Sequence, residues 1–174
     1  MDLEDVPKKY VTIYGPPNSG KTSLIDRLCE NKFLDDYVPS DDDEKGYIRL
    51  TLGKEHIKYE INFLAKKFSF YDDNFDNFDK SQVDAIMVMF DLSDDKSYFK
   101  AIKIIRSLFS KHPVPLLLIG NKRDIKKAEN ERNLDKICEK YNLDYYEVSL
   151  KFNEGIHTVM RRVGMIFGEE KAEL

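Results

Sequence analysis

The chain has 174 residues, 41% hydrophobic and 12% aromatic, with 28 basic against 32 acidic side chains and a net charge of −4. That length fits a single domain, residues 1–174, around one core, and the apolar share excludes a disordered chain. The acidic balance excludes nucleic acid as a partner bound through its phosphates; the densest charge run, Asp41-Asp42-Asp43-Glu44, has the opposite sign and reads as a solvated loop.

In chain order, Met1-Asp2-Leu3-Glu4-Asp5 is acidic and lacks the apolar run of a signal peptide. Tyr10–Tyr14 is predicted as a strand that ends at Gly15, and Thr22–Cys29, with Leu24, Ile25 and Leu28 at helical spacing, as the first helix. Residues 33–45 read as a polar linker, followed by a hairpin: a strand over Tyr47–Leu52, a turn at Gly53-Lys54-Glu55 and a strand over Ile57–Phe63. In the second strand Ile57, Tyr59, Ile61 and Phe63 alternate with Lys58, Glu60 and Asn62, giving one buried and one wetter face. Residues 64–82, rich in Asp, Asn, Lys and Phe, keep no period and read as a mobile segment with at most a short helix.

Ala85–Phe90 is apolar throughout, as a central parallel strand is, and Asp94-Asp95 caps a helix over Ser97–Phe109. Pro115–Ile119 is the next buried strand and delivers Asn121 at its carboxyl end. A helix near Asn133–Lys140, a strand at Tyr145–Val148 and an amphipathic helix over Ile156–Phe167 complete the pattern. Strands alternating with helices imply an α/β fold with helices on both faces of the sheet. Cys29 and Cys138 both fall in predicted helices, which argues against a disulfide framework and for a reducing, cytoplasmic setting. No stretch is long and apolar enough to span a membrane, no cysteine near the C-terminus invites prenylation, and Asp2 stands where myristoylation needs glycine. Direct membrane insertion is therefore not expected, and peripheral attachment would come through a partner, unless the sequence is a piece trimmed of its lipidation site.

Two motifs carry chemistry. Gly15-Pro16-Pro17-Asn18-Ser19-Gly20-Lys21-Thr22, between a strand and a helix, is a phosphate-binding loop: backbone N–H groups curl around phosphate oxygens and the helix N-terminus adds positive potential. Lys21 is expected to reach the outer phosphates and Thr22 to place its hydroxyl on magnesium, with Ser23 following. Pro16 and Pro17 contribute no amide, leaving those of Ser19, Gly20, Lys21 and Thr22 and a stiffened rim. The second motif, Asn121-Lys122-Arg123-Asp124, supplies a carboxylate able to accept both the ring N–H and the exocyclic amine of guanine, a pair that adenine does not offer. Asn121 is expected to brace the loop, and the stem of Lys122 to lie over the purine.

With these motifs the chain resembles a Ras-superfamily small GTPase of the Rab or Rho type over nearly its whole length. The resemblance implies a P-loop NTPase G domain with a mixed, mostly parallel six-stranded sheet, GTP/GDP and Mg2+ as cofactors, and a monomer or heteromeric complex. Phe33 falls where the family keeps an aromatic ring against the guanine edge. Tyr37-Val38-Pro39-Ser40 resembles the first switch, which makes Ser40 a second magnesium and phosphate contact. Asp91 to Ser97 resembles the start of the family's third helix. Glu147-Val148-Ser149-Leu150-Lys151 resembles the Glu-x-Ser-Ala-Lys element whose backbone receives the guanine carbonyl, with Leu150 in place of alanine. Regulatory or effector proteins would engage residues 33–45 and 64–82, where Phe70, Tyr71, Phe75 and Phe78 either fill core or form an apolar patch.

The departure lies in the family's Asp-x-x-Gly-Gln motif. Extending the hairpin in register puts Phe63 in the aspartate position and Lys66 and Lys67 at glycine and glutamine; a rival alignment uses Asp72-Asp73-Asn74-Phe75-Asp76 and restores only the acid. The catalytic residue is thus open, with Lys67 or Asp76 at the water-orienting position. The expectation is a guanine-nucleotide switch with slow or impaired hydrolysis; the alternative is an interaction module in which nucleotide is structural or absent.

Overall fold

The computed structural model describes residues 6–33, 35, 44–52, 57–66, 83–110, 113–126 and 133–169. Its elements run β1 (Lys8–Tyr14), α1 (Lys21–Glu30), β2 (Glu44–Leu52), β3 (Ile57–Ala65), β4 (Ala85–Asp91), α2 (Asp95–Phe109), β5 (Leu116–Asn121), α3 (Leu134–Tyr141), β6 (Asp144–Glu147) and α4 (Ile156–Glu169). The strands form one six-stranded sheet in the order β2-β3-β1-β4-β5-β6. Among the strand pairs of the described residues, β2–β3 is antiparallel and the other four are parallel. The expected mostly parallel sheet with helices on both faces is therefore present.

Alternation along the central strands sorts the core into two layers. Val11 and Ile13 of β1 and Ala85, Met87 and Met89 of β4 face α1 and α4, meeting Leu24, Ile25, Val159, Val163 and Phe167. Tyr14, Ile86, Val88 and Phe90 face the other way, onto Tyr98, Ala101, Ile102, Ile105 and Leu108 of α2 and Tyr141 of α3. Every residue of β4 is buried, as a strand covered on both faces requires. Asp94 caps α2, its side chain accepting from the Lys96 N–H at 2.9 Å. Among the described residues no helix is long and apolar enough to cross a membrane.

The hairpin differs from expectation at both ends. β2 begins at Glu44, inside the run read as solvated loop, because Glu44 pairs with Ala65 and an edge-strand ladder asks for backbone partners rather than apolar side chains. β3 runs two residues past the predicted end at Phe63. Phe63 lies level with Val11 and is 1% exposed, inside the core between the sheet and α1; the residue level with Ile13 is Ala65, and the Lys66 N–H donates to Ile13 O at 2.9 Å. The position beside the start of the phosphate loop thus belongs to Ala65 and Lys66, not to Phe63. The predicted turn at 53–55 lies outside the described residues. So do the switch-like 37–40 with Ser40, and Lys67, Phe70, Tyr71, Phe78 and the Asp72–Asp76 alignment.

Gly46 of β2 shows how closely α1 sits on the sheet: a Cβ there would come within 2.5 Å of Ile25 Cγ2 and 2.6 Å of Cys29 Sγ. Because Phe63 is core rather than site, Phe63→Ala should cost about 3–5 kcal/mol by removing a buried ring. Urea denaturation would read this as a lowered midpoint; an unchanged midpoint would place Phe63 outside the core.

Candidate functional site

The carboxyl ends of β1, β4, β5 and β6 open on the same edge of the sheet, where ligands of open α/β sheets bind. The loop after β1 turns at once: the Ser19 N–H donates to Pro16 O at 3.3 Å, with Pro17 and Asn18 between them and Asn18 at φ 60°. Proline first and a left-handed residue second is the type II turn, which suits Pro and Asn. One of the expected phosphate-facing amides, that of Ser19, is consequently used within the loop. Gly20, at φ 102°, then caps α1 and starts its first turn by accepting from the Leu24 N–H at 2.9 Å. No other residue fits there, because the backbone is left-handed and a Cβ would lie 2.2 Å from Asn121 Nδ2.

Lys21, the first residue of α1, folds its ammonium back over the loop, donating to Gly15 O at 2.9 Å and Pro16 O at 3.2 Å. No carboxylate among the described residues pairs with it, and burial pushes its pKa down from the ordinary 10.5 to about 8. Ser19 is fully buried, and its Oγ has no hydrogen-bond partner. A desolvated cation, an orphaned hydroxyl and a helix N-terminus side by side make a donor set suited to an anion such as a polyphosphate. Thr22 and Ser23 follow in the first turn of α1, Thr22 at the sequence position expected for the metal contact.

The second motif is tied to this loop directly. Asn121, last residue of β5 and 3% exposed, donates from Nδ2 to Ser19 O at 3.1 Å and accepts at Oδ1 from the Leu150 N–H at 3.2 Å. One buried carboxamide therefore fastens the phosphate loop to the segment after β6. Lys122 takes the left-handed region at φ 64°, an uncommon place for a side-chain-bearing residue, and opens a 3-10 turn over Arg123–Ile125. Its ammonium sits 2.7 Å from Asp91 Oδ2. Asp91 Oδ1 accepts from the Ser93 N–H and Oγ at 2.8 and 2.6 Å. Burial opposes ionisation of Asp91, yet the Lys122 and Ser93 donors together outweigh it and hold the carboxyl below its ordinary range.

Asp124, exposed on the 3-10 turn, accepts at Oδ1 from Ser149 Oγ at 2.6 Å, which leaves its other oxygen toward solvent-side partners. Ser149 is itself fixed by a two-way backbone pair with Glu154, at 3.0 and 2.9 Å. Leu150 is buried and Lys151 exposed, with Lys151 Nζ 2.9 Å from Asp35. The Glu147 carboxylate accepts from Lys126 Nζ at 2.6 Å and Tyr145 OH at 2.8 Å, so this segment is braced from outside as well. Phe33 is half-buried against the core beside Arg27.

The expected residues Gly15, Asn18, Ser19, Gly20, Lys21, Thr22, Ser23, Phe33, Asn121, Lys122, Asp124, Ser149, Leu150 and Lys151 thus lie in or beside one connected set of loops. Ser40, Lys67 and Asp76 lie outside the described residues. Among the described residues no cluster of three or more His, Cys, Asp or Glu side chains could hold a metal unaided. Sequence reasoning missed Arg27, which donates from Nε and Nη2 to Leu150 O at 3.0 and 2.7 Å. Its only local signal is a basic residue in the last turn of α1.

Comparison with known proteins follows the same outline. A model of the Ras family matches residues 9–166. GTP-binding protein YPT53 of Saccharomyces cerevisiae is 27% identical over 164 residues, covering 88% of this chain and 74% of that protein. Ras-related protein Rab-21 of Bos taurus is 26% identical over 158 residues, covering 84% of this chain and 67% of that protein. Human GTP-binding protein Rheb is 23% identical over 162 residues, covering 89% of this chain and 85% of that protein.

The lowered Lys21 pKa makes stability depend on pH with a definite sign. Between about 8 and the ordinary 10.5 the unfolded chain holds a proton that the ligand-free folded chain has released, so stability rises with pH across that window. Below it the buried charge destabilises in full. Denaturation of ligand-free protein and of a Lys21→Met variant, compared from pH 7 to 10.5, should show the wild type gaining on the variant as pH rises. Parallel profiles would refute the desolvated-cation account.

Proposed function

The chain belongs to the Ras family, and we propose that it is a guanine-nucleotide switch that binds GDP and GTP with magnesium and turns GTP over slowly. The observation that carries this reading is the Asn121 carboxamide, which joins the phosphate loop to the base-reading loops at 3.1 and 3.2 Å. In the reading, the amides of Gly20, Lys21 and Thr22 and the Lys21 ammonium take the phosphates. The orphaned Ser19 Oγ gives one more donor. Asp124, aimed by Ser149, takes the ring N–H and exocyclic amine of guanine, and Lys122, anchored on Asp91, lays its stem along the purine. Phe33 meets the base edge.

Magnesium would neutralise phosphate charge, held by the Thr22 hydroxyl, by phosphate oxygens and, in the family pattern, by Ser40. Slow turnover is argued from the head of β3. The residues that leave the sheet beside β1 are Ala65 and Lys66, so among the described residues no carboxylate stands there to hold the metal through water. Taking Ala65 as the aspartate position moves the family's glycine and glutamine positions to Phe68 and Ser69, neither suited to orienting water as glutamine does. Regulators and effectors would approach through residues 33–45 and 64–82. A cytoplasmic protein, peripheral on membranes through a partner, is the setting this reading assigns.

Thermal shift with GDP, GTP and ATP, with and without magnesium, tests the binding half: the guanine nucleotides should stabilise the fold and ATP should not. In the same assay Asp124→Asn should weaken guanosine nucleotides by about a hundredfold, the worth of two charge-assisted hydrogen bonds, and favour xanthosine nucleotides. Undiminished GTP affinity in that variant would refute the base assignment. Equal stabilisation by GTP and GDP would favour the interaction-module alternative. For the catalytic half, single-turnover hydrolysis should run well below that of an ordinary family member, and an ordinary rate would defeat the argument from β3.

A further inference from the structure

We infer that Arg27 is a positioning residue for guanine recognition, fixing the direction of the backbone N–H that receives the base carbonyl; the inference rests on the guanine reading above. Arg27 lies one turn before the end of α1, which Asn31 closes in the left-handed conformation at φ 53°. Its guanidinium does not seek an acid. Nε and Nη2 both donate to Leu150 O, at 3.0 and 2.7 Å, Nη2 also donates to Lys151 O at 3.0 Å, and Nη1 donates to Asn31 O at 3.3 Å. No carboxylate among the described residues pairs with it. All of its hydrogen bonds go to main-chain oxygens.

The consequence follows from peptide geometry. Among the described residues there is no cis peptide, and in a trans peptide the C=O and N–H point in opposite directions. Gripping Leu150 O from the α1 side therefore turns the Lys151 N–H away from α1. The neighbouring Leu150 N–H is engaged by Asn121 Oδ1 at 3.2 Å, whereas the Lys151 N–H has no acceptor among the described residues. Asn121 and Arg27 thus hold the Leu150 backbone from its two ends, and the donor left available is that of Lys151. The same guanidinium lies 5.5 Å from the centroid of the Phe33 ring, a cation–π distance, so the ring expected at the base edge and the peptide expected at the base carbonyl share one support.

The test is a cycle between the side chain and the base atom it serves. 6-Thio-GDP keeps the ring N–H and exocyclic amine of GDP but replaces the carbonyl oxygen with a weakly accepting sulfur. Wild-type protein should prefer GDP over 6-thio-GDP by about tenfold, the worth of one buried hydrogen bond, and Arg27→Gln should bring that ratio close to one by losing GDP affinity selectively. Arg27→Lys, which keeps the cation but not the fork, should give an intermediate ratio and carries the test if the glutamine variant does not fold. Equal weakening of both nucleotides, or of neither, would overturn the inference while leaving guanine binding intact. Failure of the wild type to bind GDP would instead overturn the guanine reading itself, and the inference with it.

Discussion

One side chain, that of Asn121, ties together the loops at the carboxyl edge of the sheet. Asn121 is buried, and a buried carboxamide is stabilising only when its donor and acceptor are both matched. Here the donor goes to Ser19 O on the phosphate loop and the acceptor takes the Leu150 N–H. Gly20 has no Cβ because Asn121 Nδ2 occupies that space, and the strand that presents Asn121 is held between β4 and β6. Loops more than a hundred residues apart in sequence thus keep a fixed spacing with no ligand needed to set it. The rigid central strands carry that spacing; the loops only inherit it.

Electrostatics divide the edge into two unlike parts. Around the Asn121–Asp124 tetrad three charged side chains have polar partners: Lys122 with Asp91, Asp124 with the Ser149 hydroxyl, Glu147 with Lys126 and Tyr145. At the loop after β1, Lys21 has only the Gly15 and Pro16 carbonyls as partners among the described residues. A matched network specifies orientation, whereas a cation without an acid favours an incoming anion, since the anion supplies the partner that burial denied it. β3 ends at Ala65 and is followed by Lys66, so no acid stands at that end of the strand.

Much of this was legible in the sequence, for identifiable reasons. Runs such as Ala85–Phe90 and Leu116–Ile119 are too apolar for anything but a strand covered on both faces, and a strand that ends in glycine or asparagine before a polar turn announces a site. Element ends were less legible. Glu44 joins β2 through its backbone, and β3 outlasts Phe63 because alternation reports which face a residue takes but not where a strand stops. That two-residue difference decides which residue meets the phosphate loop. Arg27 left almost no signature, because its partners are backbone carbonyls at the far end of the chain, and any residue has a carbonyl to offer.

The turn at Pro17 and Asn18 has an entropic consequence. Glycine-rich loops that close on anions give up backbone freedom when they do so, and each residue that becomes ordered opposes binding by about 1–2 kcal/mol. With φ of Pro17 fixed by its ring and Asn18 already left-handed, the rim of this loop has little backbone freedom left to lose. An anion bound there would thus cost the rim less backbone order than it costs a glycine-rich loop.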